Sequence, residues 1–248
     1  MSRTKGNSHR VIIVDWDDTI LPSTFVDRYK IDSSKELPLH FQNLLKELSR
    51  CADKFLYEAS KYGEVIIITN SDEGWVKYSA EKYCPSLIPV VAKYRVVSAR
   101  TRYEKFYPGQ PLCWKAAAFA HEVNEIYEKL KDDSSSCASL EGTDVSSASS
   151  LESMDEDIVL DRRQIISFGD STEERTAVNI VSGQLDAVPK SVMFMNSPSP
   201  AQIIGQLHML THHMDYVCDG KSSLDLQISV EQADRFAETY LNLQDDTP

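Results

Sequence analysis

The chain has 248 residues, 42% of them hydrophobic and 26% charged, enough to bury the core of one large domain or two small ones. No apolar run approaches the ~18 residues that span a bilayer, and the polar, basic start lacks the apolar stretch of a secretory signal. The five cysteines include no CxxC pair, which argues against a disulfide frame or a zinc site, and the net charge of −12 argues against nucleic acid as the main partner. A reducing intracellular compartment, the cytoplasm, is the expected location, with no membrane partner.

Residues 1–9 are expected to be a flexible tail. Arg10-Val-Ile-Ile-Val-Asp15 is a short β-branched run ending in carboxylates, the pattern of a strand buried on both faces. From Leu37 to Tyr62 the apolar residues Phe41, Leu44, Leu45, Leu48, Phe55, Leu56 and Ala59 fall at helical spacing, and Gly63 ends the run. Glu64-Val-Ile-Ile-Ile-Thr69 predicts a second strand, and Asn70-Ser71-Asp72-Glu73 can cap a helix reaching Tyr83. A weaker third strand is expected over Tyr94–Ser98, then a helix over Leu112–Lys131.

Residues 132–157 hold nine serines, eight acidic residues and no basic or aromatic one, so that segment is expected to be a disordered insert. Without it, 30 acidic residues face 26 basic ones. A fourth strand, Gln164–Phe168, leads into Gly169-Asp170-Ser171-Thr172 and a helix through Val181. A fifth strand is expected over Ser191–Met195, and helices over Pro200–Met214 and Val230–Leu243. The alternation predicts an α/β three-layer sandwich with a mainly parallel, Rossmann-like sheet over residues 10–215, and residues 216–248 as a helix-bearing extension.

In such sheets ligands bind beyond the carboxyl ends of the strands. Those ends carry Asp15, Asp17, Asp18 and Thr19; Thr69, Asn70 and Ser71; and Asp170 to Glu174, while Lys115 sits near a helix start. A carboxylate that attacks phosphorus needs a cation between the two anions, and Mg²⁺ suits oxygen ligands. Lysine and hydroxyl groups can hold the other phosphoryl oxygens, and a second acid can protonate the leaving oxygen and later activate water.

This set resembles the haloacid dehalogenase-like (HAD) hydrolase superfamily. The first family motif, Asp-x-Asp-x-Thr after an apolar strand, matches Asp15-Trp16-Asp17-Asp18-Thr19. The second matches Val65 to Thr69, the lysine is Lys115, and the acidic fourth motif runs from Gly169-Asp170 to Glu174, all in family order. The second acid of that motif is usually Asp; here Glu174 has the usual spacing and Glu173 lies beside it.

The resemblance implies Asp15 as nucleophile and Asp17 as general acid/base. It implies Mg²⁺ on the Asp15 and Asp170 carboxylates and the Asp17 backbone carbonyl, supported by Glu174 or Glu173. Thr69, Asn70 and Lys115 would bind the phosphoryl group. The implied activity is a Mg²⁺-dependent phosphomonoester hydrolase acting through an aspartyl-phosphate, with a phosphoprotein or other large substrate because neither gap between motifs has room for a large cap. A catalytically weak HAD-fold protein that binds a phosphorylated partner, or a phosphomutase, are the alternatives.

Residues 93–105 carry Lys93, Arg95, Arg100, Arg102 and Lys105 among tyrosines, either a solvated loop or a binding patch; as substrate contacts Arg100 and Arg102 are the candidates. His208 and His212 fall four apart on a helix, with Cys218 beyond them, but a helix face without metal is the simpler reading.

Overall fold

A computed structural model of the chain describes residues 10–29, 31, 38–137 and 162–245; the expected tail at 1–9 lies outside them. In chain order the elements are β1 (Arg10–Val14), α1 (Ser23–Arg28), α2 (Leu39–Ser60), β2 (Glu64–Thr69), α3 (Trp75–Tyr83), a 3-10 turn (Pro85–Leu87), α4 (Ile88–Val91) and β3 (Arg95–Ser98). There follow α5 (Ala99–Tyr103), α6 (Pro111–Cys137), β4 (Gln164–Gly169), α7 (Thr172–Gln184), β5 (Val188–Met193), α8 (Pro200–His212), α9 (Met214–Asp219), β6 (Leu224–Gln227) and α10 (Val230–Asp245).

All six strands are parallel, in the order β3-β2-β1-β4-β5-β6. Strand side chains alternate between faces, so a strand covered on both sides must be apolar throughout. On one face Ile12, Val14, Val65, Ile67, Ile166 and Phe168 pack against α2, α3, α8, α9 and α10. On the other, Val11, Ile13, Ile66, Ile68, Val97 and Ile165 pack against α6 and α7. These are the three layers of an α/β sandwich.

Several sequence expectations change, among them the fifth strand, expected over Ser191–Met195 and found over Val188–Met193. The helix expected to stop at Lys131 continues to Cys137, so the first residues of the expected insert are helical; residues 138–157 of it lie outside the described residues. The helix expected over Pro200–Met214 ends at His212, and α9 follows. The segment expected as an extension after residue 215 joins the body of the domain. Its β6 adds to β5 from Lys190↔Leu224 to Met193↔Gln227, and Ala233 and Tyr240 of α10 enter the core.

The ammonium of Lys190 helps anchor this segment. It donates to the carbonyls of Val217, Cys218 and Gly220 at 2.7, 2.9 and 2.6 Å, satisfying groups that the end of α9 would otherwise leave orphaned. Among the described residues no helix is long and apolar enough to cross a membrane.

The chain builds outward from β1 to β2 and β3, then returns through α6 to build β4, β5 and β6 on the other side. The reversal makes the β1–β4 junction a topological switch point, where the carboxyl ends of the strands open a crevice.

Candidate active site

Asp15 is the first residue past β1. Its N–H donates to Phe168 O at 2.9 Å, carrying the β1–β4 ladder one residue further and fixing the carboxylate at the crevice. The chain then coils tightly: the Trp16 carbonyl accepts from Ile20 and Leu21, both at 2.9 Å. Asp18 takes a left-handed φ of 51°, which aspartate tolerates better than most residues. Its buried carboxylate accepts from Thr24 N at 2.9 Å, helping to cap α1.

Lys115, in the second turn of α6, is wholly buried. Its Nζ donates to Asp15 Oδ1 at 2.7 Å and Ile68 O at 2.7 Å, and lies 2.6 Å from Glu174 Oε1. An ammonium has three protons, so these partners satisfy it.

Glu174 also does local work. Its Oε2 accepts from Ser171 N at 3.1 Å and from the Ser171 hydroxyl, closing the capping box that starts α7. The same side chain therefore caps a helix with one oxygen and reaches the lysine with the other. Glu173 does not join the cluster; its carboxylate meets Thr172 Oγ1 at 3.4 Å. The backbone of Gly169 leaves room for Glu174: a Cβ there would stand 2.7 Å from Glu174 Cγ.

Asp15, Asp170 and Glu174 each offer a carboxylate oxygen within 4.8 Å of the others, a grouping that could hold a metal ion. Burial raises the Asp15 carboxyl well above its usual range, although Lys115 opposes this. Burial, with Glu174 and Asp18 as neighbouring anions, pushes Asp170 up to about 7. Burial works against the Lys115 charge as well, but Asp15 and Glu174 outweigh it and hold the ammonium protonated. Burial would raise Glu174, yet Lys115 and the Ser171 bonds bring it below the ordinary value. Three carboxylates thus share one buried cation, and the excess negative charge can be relieved by a proton or by a further cation.

The Asp17 carboxylate belongs to a second cluster. It accepts from Thr69 Oγ1 at 3.1 Å, Ser71 Oγ at 2.7 Å and Trp75 Nε1 at 2.8 Å. The Thr69 hydroxyl also accepts from Ser71 N at 2.9 Å, so its hydrogen bonds run within the protein. Asn70 Nδ2 donates to Pro111 O at 3.4 Å, tying the loop after β2 to the start of α6, while its Oδ1 has no hydrogen-bond partner.

The basic segment is largely paired. Arg95 and Arg102 both meet the wholly buried Glu122, each at 2.7 Å, and Arg100 donates to Glu104 at 3.0 Å. Arg102 still borders a cleft of about 290 Å³ that reaches Thr69 and Ser98; Arg100 does not line it. His208 and His212 meet edge to face with ring centroids 4.4 Å apart, and Cys218 is buried in the core. Among the described residues Asp15, Asp170 and Glu174 are the one group of three or more metal-ligating side chains close enough to share an ion.

Sequence reasoning missed Trp75 and Ser71 as partners of Asp17. The Ser71 hydroxyl, two residues past the strand, was a readable signal; nothing in the local pattern marked Trp75. No family model, curated protein or solved structure matches this chain.

Proposed function

We propose that the chain is a Mg²⁺-dependent phosphomonoester hydrolase of the HAD type, working through an aspartyl-phosphate on Asp15. One observation carries the reading: Asp15 and Glu174 hold the buried Lys115 ammonium at the crevice of β1 and β4, and Asp170 brings a third carboxylate oxygen within 4.8 Å of theirs. The donors are all carboxylate oxygens and carry more negative charge than the lysine balances, a set that fits a hard divalent cation. Mg²⁺ held by the Asp15 and Asp170 carboxylates and the Asp17 backbone carbonyl would neutralise the charge between nucleophile and phosphoryl group.

The chain's own residues do the rest. A carboxylate oxygen of Asp15 attacks phosphorus, the bond to the leaving oxygen breaks, and Asp17 gives that oxygen its proton. Water then attacks the phosphorus of the aspartyl-phosphate, its proton passes to Asp17, and inorganic phosphate leaves with Asp15 restored. Lys115, already on Asp15, would orient the nucleophile and draw phosphoryl oxygens toward it. The helices and the strand in the gaps between motifs send residues such as Leu48, Phe55, Val76 and Val97 into the layers of the sandwich, which favours an open site and a large substrate such as a phosphoprotein.

A phospho-partner binding protein of weak activity is the second reading, favoured by the Thr69 hydroxyl being engaged with Asp17 and Ser71. Phosphate release from para-nitrophenyl phosphate and a phosphopeptide, with Mg²⁺, separates the two. Release by the wild type and none by Asp15→Asn supports the hydrolase. Phosphopeptide binding without release supports the partner-binding protein, and a rearranged sugar phosphate without release would indicate a mutase.

A further inference from the structure

The three donors on the Asp17 carboxylate are unevenly shared. Ser71 Oγ and Thr69 Oγ1 both donate to Oδ2, whereas among the described residues Oδ1 accepts from Trp75 Nε1 alone, at 2.8 Å. A carboxylate offers about four lone-pair sites, two on each oxygen. Both sites on Oδ2 are taken, and the one left lies on Oδ1 beside the indole. A hydroxyl can turn and accept, but an indole N–H only donates. Trp75 is therefore the partner that gives Oδ1 a fixed orientation.

The first turns of α3 hold the same stretch of chain a second time. Trp16, between the two acids, is wholly buried and donates its indole N–H to Ser79 Oγ at 2.9 Å. Ser79 Oγ donates in turn to Trp75 O at 2.7 Å. Trp75 and Ser79 stand four apart on α3 and so share a face. The links close a ring: Asp17 carboxylate, Trp75, Ser79, Trp16, and back to Asp17 through the chain. This accounts for a bulky residue between Asp15 and Asp17.

We propose that Trp75 is a positioning residue for Asp17, braced through Ser79 by Trp16, and that proton exchange with the substrate runs through the open site on Asp17 Oδ1. The inference rests on the reading of Asp17 as general acid/base. In the first step the proton on Oδ1 passes to the leaving oxygen as its bond to phosphorus breaks. In the second, a proton of the attacking water returns to that site.

Two measurements on the full chain test it. The chain has three tryptophans, so the indole region of a ¹H–¹⁵N spectrum holds three signals, and Trp114, which donates to Tyr107 O at 2.6 Å, is an internal control. In Asp17→Ala the Trp75 signal should move upfield while that of Trp114 stays. A Trp75 signal that does not move overturns the contact, whatever the activity.

Trp75→Phe keeps a ring and removes the N–H. With Mg²⁺ and phosphoserine its kcat should fall about tenfold, with KM within about twofold, because misorienting an acid–base group slows the chemistry rather than binding. With para-nitrophenyl phosphate, whose leaving group needs little protonation, the first-turnover burst should persist while the steady rate falls. A kcat near that of the wild type overturns the inference. So does a loss explained by a smaller folded fraction, or one shared equally by burst and steady rate. A wild type without turnover sinks the hydrolase reading and the acid–base role with it, while the indole signal still decides the contact.

Discussion

Lys115 Nζ lies 2.6 Å from Glu174 Oε1 and 2.7 Å from Asp15 Oδ1, so one buried ammonium joins the first turn of α7 to the end of β1. Its third bond, to Ile68 O, adds the end of β2. The rigidity of the crevice therefore depends on a charge balance as much as on packing.

Lys115→Met keeps much of the side-chain volume and removes the cation. Removing one partner of a buried ion pair typically costs about 3–5 kcal/mol, because the other charge is left uncompensated. Urea denaturation followed by circular dichroism should show a midpoint lowered accordingly. Lys115→Met combined with Glu174→Gln should recover part of the loss, since one stranded anion is gone. An unchanged midpoint in the single variant would contradict the balance described.

Asp170 gives the metal-free protein a pH dependence of defined sign. Its folded-state value, about 7, stands above the ordinary 3.8. A carboxyl raised in this way binds a proton on folding, so its contribution to stability is present below the ordinary value and is lost as pH rises through about 7. Mg²⁺ and that proton compete for the same oxygens. The rise in melting temperature on adding Mg²⁺ to chelator-treated protein should thus be small near pH 5.5 and larger near pH 8. Asp170→Asn should abolish that dependence. A Mg²⁺ response that is flat with pH, or absent, counts against the cation site.

Gly169→Ala would set a Cβ 2.7 Å from Glu174 Cγ, and overpacking of this kind costs about 1–3 kcal/mol. Pushing Glu174 aside also loosens its bonds to Ser171 and Lys115, so the Mg²⁺ response should weaken with stability. Gly183→Ala on α7 is the control. Nothing lies within 4 Å of its Cβ position, and a glycine replaced by alanine within a helix should be neutral or stabilising by up to about 1 kcal/mol. Equal effects from the two substitutions in thermal melts would refute the steric account.

Asp15→Asn and Asp17→Asn separate nucleophile from acid–base group. General acid–base groups contribute roughly 10²–10⁴-fold to rate. With an aryl phosphate, Asp17→Asn should form the phospho-enzyme and hydrolyse it slowly, so intact-mass spectrometry after acid quench finds phosphate on the chain. Asp15→Asn should carry none. Equal turnover by the wild type and Asp15→Asn would eliminate the mechanism.

Some of this molecule could be read from the chain. The runs at β1, β2 and β4 are dominated by Val, Ile and Phe because both faces of each strand are covered, and that signal needs no partner to be seen. The polar residues that close those runs mark the carboxyl ends, which is why Asp15, Thr69 and Asp170 were legible as one edge of a sheet. The apolar stripe of α2 was equally plain.

Tertiary structure decided the rest. β6 is four residues long and only half covered, so its pairing with β5, not its sequence, makes it a strand. Glu173 and Glu174 are neighbours in sequence but point about 100° apart around a helix. Only the docking of α7 on β4 selected Glu174. Lys115 and Asp15 lie 100 residues apart, and Trp75 and Asp17 lie 58 apart. Local pattern carries no information about such separations. These contacts exist because a parallel sheet brings distant strand ends to one edge, where burial makes each charge find a partner.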